Sequence, residues 1–161
     1  ISLPYSLSVR ENLSVFARIY RIEDRTRRID ELADVFEIKK LLDEPTRKLS
    51  TGQITRACLA KALLNSPEIL FLDEPPASLD PDIADKTRKL LKRISAEKKM
   101  SILYTSHNMG EMEELCDYVV FMDRGRIISS GMPDEIKERF KEKTLEGVFL
   151  KIVRGGKSPA P

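Results

Sequence analysis

The sequence predicts an α/β protein in which a helical segment precedes part of a parallel β-sheet. Up to residue 66, apolar residues recur at helical spacing. From residue 67, short apolar runs alternate with helical patterns, which is typical of strand–helix–strand crossovers. The run Ile69 to Leu72 is continuous rather than alternating, which indicates a strand buried on both faces. We therefore expect a helical subdomain over 1–66, a sheet core over 67–153 and a disordered tail over 154–161.

Composition limits the class of protein. With 161 residues, 41% hydrophobic and 34% charged, the chain can bury the core of one globular domain. The formal net charge is +2, and without a basic stripe no nucleic-acid partner is expected. No apolar stretch is long enough to span a membrane and no signal peptide opens the chain, which predicts a soluble polypeptide but leaves a membrane partner open. Cys58 and Cys116 fit no metal-ligand spacing and are expected to be reduced packing residues in a cytosolic setting.

The first part of the chain predicts three helices. Ser8 and Glu11 fit a capping box, in which a hydroxyl and a carboxylate satisfy the first free amides of a helix. Pro67 ends the third helix, because the residue before proline disfavours helical geometry. In chain order, we expect a helix from Val9 to about Tyr20, a helix over 27–37, a connector over 39–48 and a helix over 51–64.

The second part predicts alternating strands and helices. Asp80 followed by Pro81 indicates an N-cap with proline at the first helical position. Asp123-Arg124-Gly125 indicates the turn of a hairpin. In chain order, we expect a strand over 68–73, a helix from Pro81, a strand over 101–105, a helix over 109–116 capped by Asn108, hairpin strands over 118–122 and 126–130, a helix from Pro133 and a helix over 144–153.

Two adjacent carboxylates, Asp73 and Glu74, follow the first predicted strand. In open parallel sheets, ligands bind beyond the carboxyl ends of the strands. At that edge Asp73 is placed to hold a magnesium ion through water, and Glu74 to polarise an attacking water. The alternative is that the two acids only end a strand and cap a turn.

The segment Leu49 to Gln53, "LSTGQ", stands at the start of a predicted helix. Ser50 offers a hydroxyl, Gly52 allows close backbone approach, and the first turn has unpaired amides with partial positive charge, which together suit a phosphate. The alternative is a helix cap with nothing bound.

His107 is the only histidine and follows the next predicted strand, which we expect to be buried. It could therefore lie at the same sheet edge as the acids and donate a hydrogen bond to a phosphate oxygen. The alternative is a surface or turn residue. Asp80 could serve the same site, although its place before Pro81 is fully explained by a helix cap.

Taken together and in this order, these segments resemble the ATP-binding cassette (ABC) ATPases over nearly the whole chain. "LSTGQ" is similar to the signature motif of that family, with Ser50, Gly52 and Gln53 matching and Thr51 where glycine is usual. "ILFLDEP" resembles the Walker B motif, "SLD" the D-loop that ends at Asp80, and "TSH" the switch histidine, His107. Pro76 stands where threonine is common and Ser78 where glycine often occurs. The opening and closing segments resemble those of two-component exporters.

The resemblance implies a P-loop NTPase-type sheet core, present here in part, and an ATPase with ATP and Mg²⁺ as cofactors. It implies Asp73 for the metal, Glu74 and His107 as catalytic residues, and Ser50, Thr51, Gly52, Gln53 and Asp80 for ATP bound across a dimer interface. Partners would be a second cassette and a transmembrane permease, which meets the helical subdomain. The protein would lie in the cytoplasm, on the inner face of the cell membrane, and would power transport, with export as the expected direction.

The phosphate-cradling loop G-x-x-x-x-G-K-[ST] is not found in this sequence. Gly156-Lys157-Ser158 imitates its end, but Lys151 occupies the first glycine position and Pro159 prevents a following helix. The chain also begins without methionine, so we expect it to be the downstream part of a cassette. Alone, it should show no substantial ATPase activity and should be marginally folded.

Two other functions stay open at this point. One is a soluble ABC-type ATPase that acts on the ribosome or DNA, although neither sustained heptads nor a second cassette is visible. The other is a non-enzymatic, degenerate cassette, against which the intact Glu74 and His107 argue.

Overall fold

A computed structural model describes residues 3–75 and 81–154. The α/β fold predicted from the sequence is confirmed. In chain order, the elements are α1 (Val9–Ile19), α2 (Arg25–Val35), α3 (Thr51–Ala62), β1 (Ile69–Asp73), α4 (Pro81–Lys98), β2 (Ser101–Thr105), α5 (Met109–Leu115), β3 (Val119–Asp123), β4 (Arg126–Gly131), α6 (Pro133–Phe140) and α7 (Leu145–Val153). Two short 3₁₀ turns, Lys39–Leu41 and Thr46–Lys48, form the predicted connector.

Contacts group the chain into two compact units, Ile1–Leu103 and Tyr104–Pro161. The boundary between them falls inside β2. The subdomain boundary at residue 66 stays a prediction, and the predicted tail falls almost entirely outside the described residues.

The helices α1 to α3 form the core of the first unit. The predicted capping box at α1 is confirmed, since Ser8 Oγ accepts from the Glu11 N–H at 3.2 Å and Glu11 Oε2 accepts from the Ser8 N–H at 2.7 Å. Most apolar residues that helical spacing places on the inner faces of α1 and α2 are almost entirely buried: Val9, Leu13, Ala17, Ile29, Leu32, Ala33 and Phe36. Phe16 is only partly buried, and the polar Asn12 is buried on the same helix as Leu13. The same helical spacing predicts Tyr20 on this face, but Tyr20 is the C-cap of α1 and is 44% exposed.

The strands β1 and β2 are hydrogen-bonded neighbours in a two-stranded parallel sheet. The prediction that both are buried is wrong for this chain. Leu70 and Leu72 are buried, whereas Ile69 and Phe71 are 56% and 70% exposed, and Leu103 of β2 is 58% exposed. The reason is that successive strand residues point to opposite faces, and the described residues cover one face only.

The second unit is built on the predicted hairpin. β3 and β4 pair antiparallel, with Asp123 opposite Arg126, so that Arg124 and Gly125 form a two-residue turn. Both turn residues have positive φ, 46° and 76°, which matches the turn type that follows the twist of a hairpin. The inner face of the hairpin packs against α6 and α7 in a cluster of buried apolar side chains: Val119, Phe121, Ile136, Phe140, Leu145 and Val148.

Within residues 3–75 and 81–154, no helix combines the length and the apolar character needed to cross a membrane. Cys58 and Cys116 are both free and half-buried, as predicted. Burial raises the pKa of each thiol.

Candidate functional site

The two predicted site carboxylates stand at the carboxyl end of β1. Asp73 is the last residue of the strand and is exposed, in alternation with the buried Leu72. Glu74 follows with φ +45° and is also exposed. A positive φ in a residue other than glycine turns the chain sharply, so the strand ends at these acids. The local geometry leaves both carboxylates accessible to a ligand at the sheet edge.

The predicted phosphate-binding segment begins α3. Ser50 is the N-cap: its Oγ accepts from the Gln53 N–H at 3.3 Å, and Gln53 Oε1 accepts from the Ser50 N–H at 2.9 Å. The first intrahelical bond runs from the Ile54 N–H to the Ser50 carbonyl at 2.9 Å. The amides of Thr51 and Gly52 therefore have no partner within the helix and carry the partial positive charge of its N-terminus. Ser50 and Thr51 are exposed, so an anion can reach them.

His107 lies between β2 and α5 and is exposed. Asn108 caps α5 as predicted, since its Oδ1 accepts from the Glu111 N–H at 3.2 Å. The side chain of Ser106, on the other side of His107, is held by the carboxylate of Glu111. Glu111 was not predicted as a site residue, because a glutamate in a first helical turn is common for electrostatic reasons alone.

The predicted site residues are divided between the two compact units. Asp73 and Glu74 belong to the first compact unit, as does the segment Ser50 to Gln53, whereas His107 belongs to the second. Asp80, together with the rest of the predicted D-loop, lies outside the described residues. So does the Gly156-Lys157-Ser158 decoy.

A magnesium ion fits the acids as a partly protein-bound ion. Among residues 3–75 and 81–154, no group of three or more His, Cys, Asp or Glu side chains is arranged to hold a metal. Mg²⁺ is, however, commonly bound through one or two carboxylates, with water and substrate phosphates completing its shell. An exposed oxygen donor such as Asp73 at the end of a strand meets that requirement.

A cleft of about 340 Å³ lies between α2, α3 and α4, away from the predicted site residues. Its charged side chains are four cations and one carboxylate, Glu37. Each cation is paired: Arg56 with Glu37 (3.8 Å), Lys86 with Asp82 (2.9 Å), Lys89 with Asp85 (2.7 Å) and Arg93 with Glu97 (3.9 Å). The charge of this cleft is therefore compensated within the chain.

A buried cation, Lys61, lies on α3 and was not predicted from the sequence. Lys61 is 4% exposed, its Nζ has no hydrogen-bond partner, and the ammonium lies 4.5 Å from the centroid of the Phe16 ring. Burial lowers the pKa of Lys61, and the nearby Cys58 partly opposes this. Helical spacing predicts an apolar inner face for this helix: Ile54, Cys58, Leu59, Ala62 and Leu63. Of these, Leu59 and Leu63 are buried, whereas Ile54, Cys58 and Ala62 are only partly buried. Ala57, Ala60 and Lys61 are buried in addition.

The family model and the relatives described below all belong to the ABC transporters. The family model described as ABC transporter matches residues 2–77. The chain is 34% identical to the phosphate import ATP-binding protein PstB of Thermotoga maritima, over 89% of this chain and 59% of that protein. It is 31% identical to the probable multidrug ABC transporter ATP-binding protein YbhF of Escherichia coli, over 94% of this chain and 27% of that protein. It is 35% identical to the Nod factor export ATP-binding protein I of Ralstonia nicotianae, over 84% of this chain and 42% of that protein.

A solved structure of the ATP binding subunit of an ABC transporter matches the fold, with a TM-score of 0.84 and 24% identity over 94% of this chain and 64% of that one. The chain thus spans about three fifths of the length of the phosphate-import relative and less of the other two.

Proposed function

The chain belongs to the ATP-binding cassette transporter family, and from that premise we propose that the whole protein is the ATP-binding and hydrolysing subunit of a membrane transporter. The observation that carries the proposal is the end of β1. Two exposed carboxylates stand side by side where a parallel strand ends, and the second occupies a backbone conformation unfavourable for its residue type.

Each predicted site residue has a proposed role in ATP binding or hydrolysis. Asp73 would hold Mg²⁺, which when bound neutralises charge on the transferred phosphoryl group. Glu74 accepts a hydrogen bond from the attacking water and takes its proton. His107 donates a hydrogen bond to a phosphate oxygen. The amides of Thr51 and Gly52, with the side chains of Ser50 and Gln53, face the nucleotide held by a second cassette, and Asp80 acts at the same interface.

We propose this activity for the whole protein and not for the 161 residues alone. The printed sequence holds no G-x-x-x-x-G-K-[ST] motif. Without backbone amides that cradle the β- and γ-phosphates, the acids have no bound substrate to act upon.

A transmembrane permease is the proposed partner, and the exposed apolar residues in and at the end of α1 are its proposed contact. Val15, Ile19 and Tyr20 are 46%, 64% and 44% exposed on this helix, so they present apolar surface that a partner could cover. With a permease as its partner, the protein would lie in the cytoplasm, on the inner face of the membrane.

For the direction of transport we propose export. The support is the similarity of the opening and closing segments to two-component exporters, together with export and multidrug relatives. Import is the second candidate, because the phosphate-import relative covers the chain equally well. Reconstitution with the permease in vesicles decides: ATP supplied on the cassette side drives substrate away from that side in an exporter and toward it in an importer.

The activity is tested by Glu74→Gln in the whole protein, with Glu68→Gln as the matched control. Both change one exposed glutamate beside β1, but Glu68 precedes the strand and Glu74 follows it. Loss of a general base lowers kcat by about 10²–10⁴-fold. We expect that loss for Glu74→Gln, with ATP still bound, and less than a twofold change for Glu68→Gln. Equal activity of the two variants would refute the assignment of Glu74.

A further inference from the structure

The carboxylate of Glu111 forms hydrogen bonds with residues on the loop that carries His107 and on the strand before it. Glu111 Oε2 accepts hydrogen bonds from the Ser106 hydroxyl at 3.1 Å and from the Tyr104 hydroxyl at 3.2 Å. Tyr104 is 8% exposed and lies in β2, whereas Glu111 lies in the first turn of α5. The carboxylate therefore joins the strand before His107 to the helix after it.

These bonds fix the orientation of the Ser106 hydroxyl. A serine hydroxyl has one proton to donate and lone pairs to accept. Ser106 gives its proton to Glu111 and accepts from the Asn108 N–H at 3.0 Å. Bonds to an ionised carboxylate are stronger than those between neutral groups, so Glu111 sets the direction of the whole chain of bonds.

The chain of bonds closes on itself. The Glu111 N–H donates to Asn108 Oδ1 at 3.2 Å, and the Asn108 N–H donates to Ser106, which donates back to the Glu111 carboxylate. His107 is the residue between Ser106 and Asn108. Its backbone is thus held on both sides by groups that bond Glu111.

A second carboxylate of α5, that of Glu113, contacts different elements. Glu113 pairs with Lys137 of α6 and accepts from the Leu145 N–H of α7 at 3.1 Å. It anchors the helix to the rest of the second unit and makes none of the bonds of the His107 loop described above. Glu113 is therefore a matched control for Glu111.

We propose that Glu111 is a positioning residue for His107: it bonds Ser106, Tyr104 and Asn108, and so holds the histidine loop in a single arrangement. Its importance for hydrolysis rests on the proposed function of His107, but the positioning itself does not.

The first test needs no ATPase activity. His107 is the only histidine of the 161-residue chain, so its ring protons give unique signals in an NMR spectrum of that chain, labelled at histidine and kept folded with sucrose. We expect Glu111→Ala to shift these signals toward those of a histidine in a flexible peptide. Glu111→Gln keeps an oxygen acceptor and should retain the signals of the parent chain. Glu113→Ala should retain them as well, although it lowers stability.

Ser106→Ala provides a second variant that leaves the Tyr104–Glu111 bond in place, in case Glu111→Ala does not fold. It should shift the ring signals in the same direction. Unchanged ring signals in Glu111→Ala or in Ser106→Ala would overturn the proposal, as would an equal shift in Glu113→Ala.

Activity of the whole protein separates the two proposals. A mispositioned His107 should lower kcat about tenfold, roughly the loss of one hydrogen bond worth about 1.4 kcal/mol in the transition state, with KM unchanged. We expect this for Glu111→Ala but not for Glu113→Ala. If the NMR shift occurs and kcat does not change, Glu111 positions the loop and the catalytic role of His107 is wrong.

Discussion

Arg28 ties α2 to the C-terminal end of α3, the helix that begins with the signature segment. Its Nε donates to the Leu64 carbonyl at 3.1 Å, and its Nη2 donates to the Leu63 carbonyl at 2.6 Å and to Ser66 Oγ at 3.1 Å. The last carbonyls of a helix have no partner within it and carry partial negative charge, so a guanidinium is a favourable partner. We predict that Arg28→Met destabilises the protein strongly.

The size of the expected loss in stability follows from the burial of Arg28 and of the two leucines whose carbonyls it binds. The Arg28 side chain is 18% exposed, and Leu63 and Leu64 are 3% and 2% exposed. A hydrogen bond to a charged group contributes about 1.5–3 kcal/mol, and the bonds of one side chain are not additive. Methionine retains part of the apolar stem but removes the guanidinium donor from both carbonyls, of which the Leu63 carbonyl keeps the Ser66 N–H at 3.2 Å. We expect a loss of about 2–3 kcal/mol in the free energy of unfolding.

Arg27→Met is the control. Arg27 is the neighbouring residue of the same helix, its side chain is 76% exposed, and its Nε pairs with Glu31 at 2.9 Å. Such an exposed pair contributes about 0.3–0.5 kcal/mol. Urea titration followed by far-ultraviolet circular dichroism measures both losses, and sucrose in every sample raises stability enough to define the folded baseline. If the two variants differ by less than about 0.5 kcal/mol, the tether does not stabilise the fold and the reasoning fails.

Four further outcomes are expected. Ser50→Ala, which removes half of the capping box, should lower the free energy of unfolding by about 1 kcal/mol; no loss in the same titration would contradict this. Burial lowers the pKa of Lys61 below its ordinary 10.5, so the unfolded chain binds more protons between the two values and stability rises with pH across that window. Lys61→Met should abolish its share of this rise in titrations at increasing pH, and an unchanged slope would show that the ammonium is solvated. Phe71→Ala should change stability by less than about 0.5 kcal/mol, whereas Leu72→Ala should cost about 2–5 kcal/mol; a reversed order would mean that the other face of β1 is covered. The 161-residue chain alone should show no substantial ATPase activity and should melt broadly on heating. Magnesium-dependent turnover at the rate of an intact cassette would contradict the first statement, and a sharp melt would contradict the second.

Local signals were predicted well, because their causes lie within a few residues. The box of Ser8 with Glu11, the Asn108 cap and the Arg124-Gly125 turn each depend on a short segment, and the structure has all three. Helix ends differ from prediction by one or two residues, as at α2 and α3, because the last turn frays into capping geometry.

Features that depend on distant partners were not predicted. Arg28 binds carbonyls 35 and 36 residues away, which no periodicity encodes. Lys61 was passed over because a lysine on a helix is ordinarily exposed, yet the Phe16 ring from α1 covers it. Of the candidate site, the local placement of Asp73, Ser50 and His107 could be predicted. The bonds of Glu111 could not, because they require the strand and the helix to be placed first.

The backbone at Glu74 indicates why β1 ends in two acids. Seven residues other than glycine have positive φ among those described. One of them, Ser66, lies in the loop between α3 and β1. Four others lie at helix ends, where a left-handed residue satisfies free carbonyls: Arg21, Glu37, Lys99 and Lys141. At each of these ends the next amide bonds a carbonyl five residues earlier, as that motif requires: Ile22 to Ala17, Ile38 to Ala33, Met100 to Ser95 and Glu142 to Lys137. Arg124 has positive φ because it forms the hairpin turn.

Glu74 follows a strand, so neither the helix-end motif nor the hairpin turn explains its positive φ. Glycine would adopt the same φ without the steric cost of a Cβ. A glutamate is therefore retained there at a conformational cost of about 1–2 kcal/mol. That cost is reasonable if the carboxylate is needed beside Asp73, where the chain turns away and leaves both acids exposed.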